Sequence, residues 1–98
     1  MYARVIDREQ FNRMKSKKST MVIDMRSPVE YRNGHIDESV NLPLRNFLNT
    51  ITPLNKETKL ILFADVMDNE DLVAGIKYAA QLGFNNIYTT EYSVIRDI

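Results

Sequence analysis

The chain has 98 residues, 44% of them hydrophobic, with 13 Lys plus Arg balanced by 13 Asp plus Glu, one histidine and no cysteine. One domain of this size buries roughly 60–65% of the surface its unfolded chain exposes, so a single apolar core can hold it without a disulfide or metal. A net charge of zero argues against nucleic acid or an anionic membrane as the main partner, and the lack of cysteine excludes disulfides, thiolate–zinc sites and thiol nucleophiles.

No repeat, low-complexity tract or Pro/Gly-rich linker interrupts the sequence, so residues 1–98 read as one domain. The first ten residues carry Arg4, Asp7, Arg8 and Glu9 and lack the apolar stretch of a signal peptide. No apolar run is long enough to cross a bilayer. A cytoplasmic location is the default expectation.

Short β-type runs alternate with helical patterns, as expected for βαβ units around a parallel sheet. Residues 2–6 suit a first strand. Asp7 is placed to cap a helix over 8–17, with Phe11 and Met14 facing inward. Residues 21–25 are apolar without alternation, as in a strand covered on both faces. Ser27-Pro28-Val29-Glu30 then reads as a capping box with proline at the first helical position. This short helix stops near Arg32, and Asn33-Gly34 turns the chain. Val40-Asn41-Leu42 forms a short strand closed by Pro43, and residues 45–51 a short helix ended by Thr52-Pro53.

Lys59–Ala64 reads as a central strand. A helix follows over about 69–82, with Leu72, Ile76, Ala79 and Ala80 on one face and Gly83 just past its end. Residues 86–89 make a last strand, and residues 92–98 a terminal helical turn. About five strands with intervening helices imply a three-layer α/β/α domain with a mainly parallel sheet and right-handed crossovers.

The stretch Val22-Ile23-Asp24-Met25-Arg26-Ser27-Pro28-Val29-Glu30-Tyr31-Arg32-Asn33-Gly34-His35-Ile36 resembles the rhodanese-like (rhodanese homology) domain family. That family shows a strand ending in Asp-x-Arg, then Pro-x-Glu-Tyr and Gly-His-Ile. The continuation Ser39-Val40-Asn41-Leu42-Pro43 fits the same pattern. Leu82-Gly83-Phe84-Asn85-Asn86-Ile87-Tyr88 is similar to the family's step into its last strand. The resemblance covers nearly the whole chain, and it implies the rhodanese fold more strongly than any chemistry, since function resides in the site.

In active members of that family, a cysteine follows the strand corresponding to Lys59–Ala64. The next loop curls into a helix N-terminus whose N–H groups hold an anionic persulfide or phosphate. Here that position is vacant. Counting from the strand places it at Ala64, and counting back from Gly83 places it at Val66, because the connection is about two residues longer. The loop corresponding to the active site reads Ala64, Asp65, Val66, Met67, Asp68, Asn69, Glu70, Asp71. Its four carboxylates would repel thiosulfate, persulfide or phosphate by ~1 kcal/mol per charge at about 4 Å in water. The family's Gly-Gly and tryptophan after the last strand are replaced by Glu91-Tyr92-Ser93.

Other residues admit a functional and a plainer reading. Asp24 and Arg26 stand where α/β folds bind ligands, with Arg26 the best remaining anion ligand, but a structural ion pair explains them more simply. His35, the lone histidine, has no nucleophile to serve and is read as fixing the turn after Gly34. The acids over 65–71 lack calcium-loop spacing and suit the first turn of a helix, so no metal is assigned. Tyr78 and Phe84 are expected in the core, and Tyr92 and Ile95 are candidates for an exposed contact. Lys15-Ser16-Lys17-Lys18 reads as a solvated helix end.

These readings point to a catalytically inactive rhodanese-like pseudoenzyme, a binding or regulatory module. It would use the loop over 64–71 to meet an unknown protein or small ligand, with Asp65, Asp68, Glu70 and Asp71 facing a basic partner. The alternative is a sulfurtransferase-family enzyme with a non-thiol or partner-supplied nucleophile. No cofactor is called for.

Overall fold

The computed structural model describes residues 2–96. Its elements are β1 (Arg4–Val5), α1 (Arg8–Met14), β2 (Thr20–Asp24), α2 (Pro28–Asn33), β3 (Ser39–Asn41), α3 (Leu44–Ile51), β4 (Lys59–Ala64), α4 (Glu70–Gln81), β5 (Ile87–Glu91) and α5 (Tyr92–Ile95). The five strands form one sheet in the order β1-β5-β4-β2-β3, with every neighbouring pair parallel. All the carboxyl ends therefore lie along one edge of the sheet, and all the amino ends along the other.

The run of apolar residues in β4 divides by parity between two cores, as the period of two in a strand requires. Leu60, Leu62 and Ala64 join Ile23, Met25, Phe47, Ile51, Leu72, Ile76 and Ala79 under α3 and α4. Ile61 and Phe63 join Val22, Ile6, Phe11 and Ile95 under α1 and α5. Burying each large side chain is worth ~1.5–3 kcal/mol over leaving it exposed, so β4 serves both layers and is the pivot of the three-layer fold.

Helix boundaries follow local chemistry. The Asp7 side chain accepts from the Gln10 N–H at 2.8 Å, while the Asp7 N–H donates to Gln10 Oε1 at 2.9 Å, which closes a capping box. The N–H groups of Gly83 and Phe84 donate to Ala80 O and Ala79 O, and Gly83 takes a φ of +100° that glycine alone adopts without strain. At Gly75 a Cβ would stand 2.7 Å from Met25 Cε, so the bare backbone lets α4 lie close over the end of β2.

Several expectations need correction. The first helix ends at Met14 rather than near 17, because the Lys17 N–H turns back to Met14 O and the Thr20 N–H to Lys17 O, steering the chain into β2. Lys17 and Lys18 thus lie beyond the helix. The first strand shrinks to Arg4–Val5, which pairs with β5 alone. β5 runs on to Glu91, held by its pairing with Ala64. Tyr78 is 37% exposed and Ile95 only 2%, the reverse of expectation: Tyr78 flanks the buried stripe of α4, whereas Ile95 packs into the α1 layer. Residues 97 and 98 of the expected terminal turn lie outside the described residues. Among the described residues, no helix is long and apolar enough to cross a membrane.

Candidate functional site

The carboxyl ends of β2 and β4 open into a cup of about 370 Å³, lined by Met25, Arg26, Ser27, Glu30, Pro43, Asp65, Asn69 and Asp71 among others. Three segments build it. The turn after β2 brings Arg26 and the capping box of α2, where Ser27 Oγ accepts from the Glu30 N–H and Glu30 Oε1 accepts from the Ser27 N–H, both at 3.2 Å. The Asn41 Nδ2 donates to Asp24 O and Arg26 O and fixes this turn to β3. The 65–69 loop forms the opposite wall, with Asn69 capping α4 through the Leu72 N–H at 3.1 Å.

Arg26 is held mainly by the protein itself. Its Nε and one terminal nitrogen grip both oxygens of Asp24 at 2.9–3.1 Å, and the same terminal nitrogen donates to Gly34 O at 2.7 Å. The guanidinium lies 3.7 Å from the centre of the Tyr92 ring, within cation–π range. Desolvation works to lower its pKa, but the bonds and charge of Asp24 outweigh it and hold the pKa above the ordinary arginine value. With Asp24 wholly buried and Arg26 7% exposed, the pair joins the end of β2 to α2 and α5. It does not present a free fork to an anion.

The remaining lining is acidic. Glu30 and Asp65 are hydrogen-bonded neighbours. The bond to Glu30, then burial and the Glu30 charge, raise the pKa of Asp65, with Arg26 opposing. The bond from Asp65, then the Ser27 N–H, lowers that of Glu30. The two carboxyls are therefore coupled, with the tendency to take up a proton shifted toward Asp65. Asp71 adds a third carboxylate to the cup.

Neither position weighed for the missing cysteine lines this cup. Ala64 is sealed at 0% exposure in the α4-side core, and Val66 stands 48% exposed on the outer loop. Asp65, between them, is the residue β4 delivers to the cup. A second carboxylate closes the loop from the far side: Glu91 Oε2, at the end of β5, accepts the Met67 N–H at 3.0 Å. An internal anion thus takes this loop amide. Nothing local in the sequence marks this bond, because its partners are 24 residues apart.

His35 stands outside the cup, stacked on Tyr31 at 3.9 Å with Nδ1 2.8 Å from Tyr31 O. Asp68, Glu70 and Asp71 are exposed at the loop and the start of α4. Among the described residues, no three histidines, aspartates or glutamates are grouped to hold a metal ion. Chemically, the cup offers coupled carboxyl groups and no nucleophilic sulfur, and the cation in its lining, Arg26, is paired with Asp24.

A family profile described as Rhodanese-like domain matches residues 7–94. The chain is similar to the tRNA uridine(34) hydroxylase of Buchnera aphidicola subsp. Baizongia pistaciae, at 28% identity over 92 residues, covering 87% of this chain and 28% of that protein. It therefore spans less than a third of that relative. Among solved structures, a rhodanese-related protein from Thermoplasma volcanium superposes with a TM-score of 0.68 at 25% identity, covering 90% of this chain and 83% of the other. An uncharacterized protein from Saccharomyces cerevisiae gives 0.69 at 19% identity, covering 90% and 84%, which speaks to fold alone.

Proposed function

The chain belongs to the rhodanese-like domain family, and from that premise we propose that it is a catalytically silent member, a binding or regulatory module that meets a basic partner through the loop over residues 64–71. The observation that carries the reading is the cup itself. β4 delivers a carboxylate, Asp65, to the cup, the Arg26 guanidinium in its lining is paired with Asp24, and the Met67 N–H of the same loop is spent on Glu91. An anionic sulfur donor entering the cup would face Glu30, Asp65 and Asp71, with the lining's cation, Arg26, already paired to Asp24.

The same charges favour a cationic partner. Asp65, Asp68, Glu70 and Asp71 are exposed, and among the described residues none has a lysine or arginine within ion-pair distance. They lie on a loop and first turn held by the Asn69 cap and the Glu91 bond, so a partner meets a preformed surface. Only the module is carried over from the longer relative named for tRNA uridine(34) hydroxylation; its activity is not assigned to this chain.

The test is a thiosulfate–cyanide assay on the purified protein, run beside a capture experiment. We expect no turnover above the uncatalysed rate, and clear turnover would overturn catalytic silence. Ala64→Cys and Val66→Cys should also stay inactive, the first because its thiol is sealed, the second because it points away from the cup. Efficient turnover by either would show that neither this placement nor the acidic surroundings are a barrier. Capture of a basic peptide should weaken when Asp65, Asp68, Glu70 and Asp71 are all replaced by their amides; unchanged capture would remove the loop as the contact surface.

A further inference from the structure

At the opposite edge of the sheet, where β2 and β4 begin, lies a cleft of about 620 Å³ lined by Arg13, Met14, Lys17, Lys18, Ser19, Thr20 and Lys59. We propose that this cleft is a binding site for phosphoryl-bearing anions, distinct from the acidic cup and independent of the function argued for it. Its cations come from three places: Arg13 from the last turn of α1, Lys17 and Lys18 from the turn into β2, and Lys59 from the first position of β4. No carboxylate is among its lining residues.

Arg13 holds Glu9 at 2.9 Å, but among the described residues no carboxylate lies within ion-pair distance of Lys17, Lys18 or Lys59. Three ammonium groups around one cavity repel one another, and an anion is what relieves them. Two carbonyls at the end of α1, which would disfavour an anion, are already occupied here. The Lys15 N–H takes Phe11 O and the Lys17 N–H takes Met14 O. The same bonds, with Thr20 N–H to Lys17 O and Lys59 N–H to Ser19 O, hold the lysine-bearing turn against the sheet, so the site is built rather than a loose tail.

A second feature points the same way. Thr20 lines the cleft, and its Oγ1 is buried without a hydrogen-bond partner. A desolvated hydroxyl without an acceptor is unfavourable, and an anion seated in the cleft beside Thr20 would bring acceptor oxygens near it. Ammonium groups act as point charges with rotatable donors, which suits phosphate oxygens in varied arrangements. The volume exceeds what one phosphate needs, so a diphosphate or successive backbone phosphates match it better.

The experiment titrates the whole protein with inorganic pyrophosphate at low salt, following backbone amide shifts, and repeats the titration with a twelve-nucleotide single-stranded RNA. We expect saturable pyrophosphate binding, with shifts centred on residues 17–20 and 59. Lys17→Glu and Lys18→Glu should each weaken it about tenfold, as the loss of a charge-assisted contact requires. Lys77→Glu, an equal charge change on the outer face of α4, should leave it within about twofold, since surface charges at a distance are screened. Binding of RNA far tighter than pyrophosphate, falling about as the second power of salt and equally sensitive to Lys17→Glu, would assign the phosphates to a nucleic-acid backbone. Comparable affinities would assign them to a small phosphorylated ligand. No saturation with either probe, or a Lys77→Glu loss equal to that of Lys17→Glu, would overturn the proposal.

Discussion

The two edges of the sheet treat charge in opposite ways. At the carboxyl edge, polar groups answer one another: Arg26 with Asp24, Gly34 O and Tyr92; the Met67 N–H with Glu91; Glu30 with Asp65. At the amino edge, Lys17, Lys18 and Lys59 stand around an open cleft without acidic neighbours among its walls. The acids of the loop and the lysines of the turn cancel in the total, and a net charge of zero conceals that they occupy opposite ends. A parallel sheet with short connections makes such a separation easy, because its turns fall alternately at the two edges. The charge arrangement at one end therefore says nothing against binding at the other.

If the carboxyl edge is internally satisfied, breaking one of its pairs should cost stability, and the costs should rank by burial. The largest effect is expected for Arg26→Ala, which leaves Asp24 at 0% exposure without its cation. Removing one partner of a buried pair costs ~3–5 kcal/mol, read by urea unfolding; a loss below about 1 kcal/mol would mean water reaches Asp24 and the pair is not the keystone described. Next is Glu91→Ala, which strips the acceptor from the Met67 N–H. We expect ~1–2 kcal/mol and faster hydrogen exchange at the Met67 amide, and unchanged exchange would show that the loop does not depend on that carboxylate.

Asp65→Asn should have a smaller, pH-dependent effect. The folded-state pKa of Asp65 lies above its ordinary 3.8, so its contribution is fully present below that value and lost as pH rises through the raised one. Glu30, held below its ordinary 4.5, contributes above that value and loses its contribution as pH falls through the lowered one. Replacing Asp65 removes the first effect and eases the repulsion on Glu30. The variant should melt slightly higher than the parent at pH 7, by no more than ~0.5 kcal/mol for such exposed groups, with the advantage shrinking toward pH 4. A gain that grew on acidification would reverse the directions given for the two carboxyls.

The smallest effect belongs to the amino edge. Lys18→Glu should change stability by a few tenths of a kcal/mol at most, in the stabilising direction at low salt and vanishing near 1 M salt. A clear loss would mean that Lys18 has a structural partner.

Much of the scaffold was legible beforehand, and the reason is periodicity. β4 carries five consecutive apolar residues, 60–64, that serve two cores, and its bounds, Lys59–Ala64, are those read from the apolar run. Ser27 and Glu30 announce a cap within four residues, and the helix they open is where they place it. The Asp-x-Arg and Gly-His-Ile segments were enough to identify the fold. What could not be read joins residues distant in sequence: Glu91 reaching Met67, and Tyr92 covering Arg26. Short elements also hide their inner face. A four-residue helix such as α5 has no period to count, so Ile95 was placed outside when it packs inside. The balance of charges was legible as a sum and silent as a distribution.

Arg26 has a dynamic consequence. Its side chain touches the end of β2, the carbonyl that ends α2 and the ring that begins α5. None of these segments can swing out without stranding the guanidinium or the Asp24 carboxylate beneath it. They should therefore open as one cooperative unit, with slow exchange of the Arg26 N–H, bonded to Asp24 Oδ1, reporting for all three. Breathing at this end of the molecule is all or nothing, and a partner arriving at the neighbouring loop meets a floor that does not give.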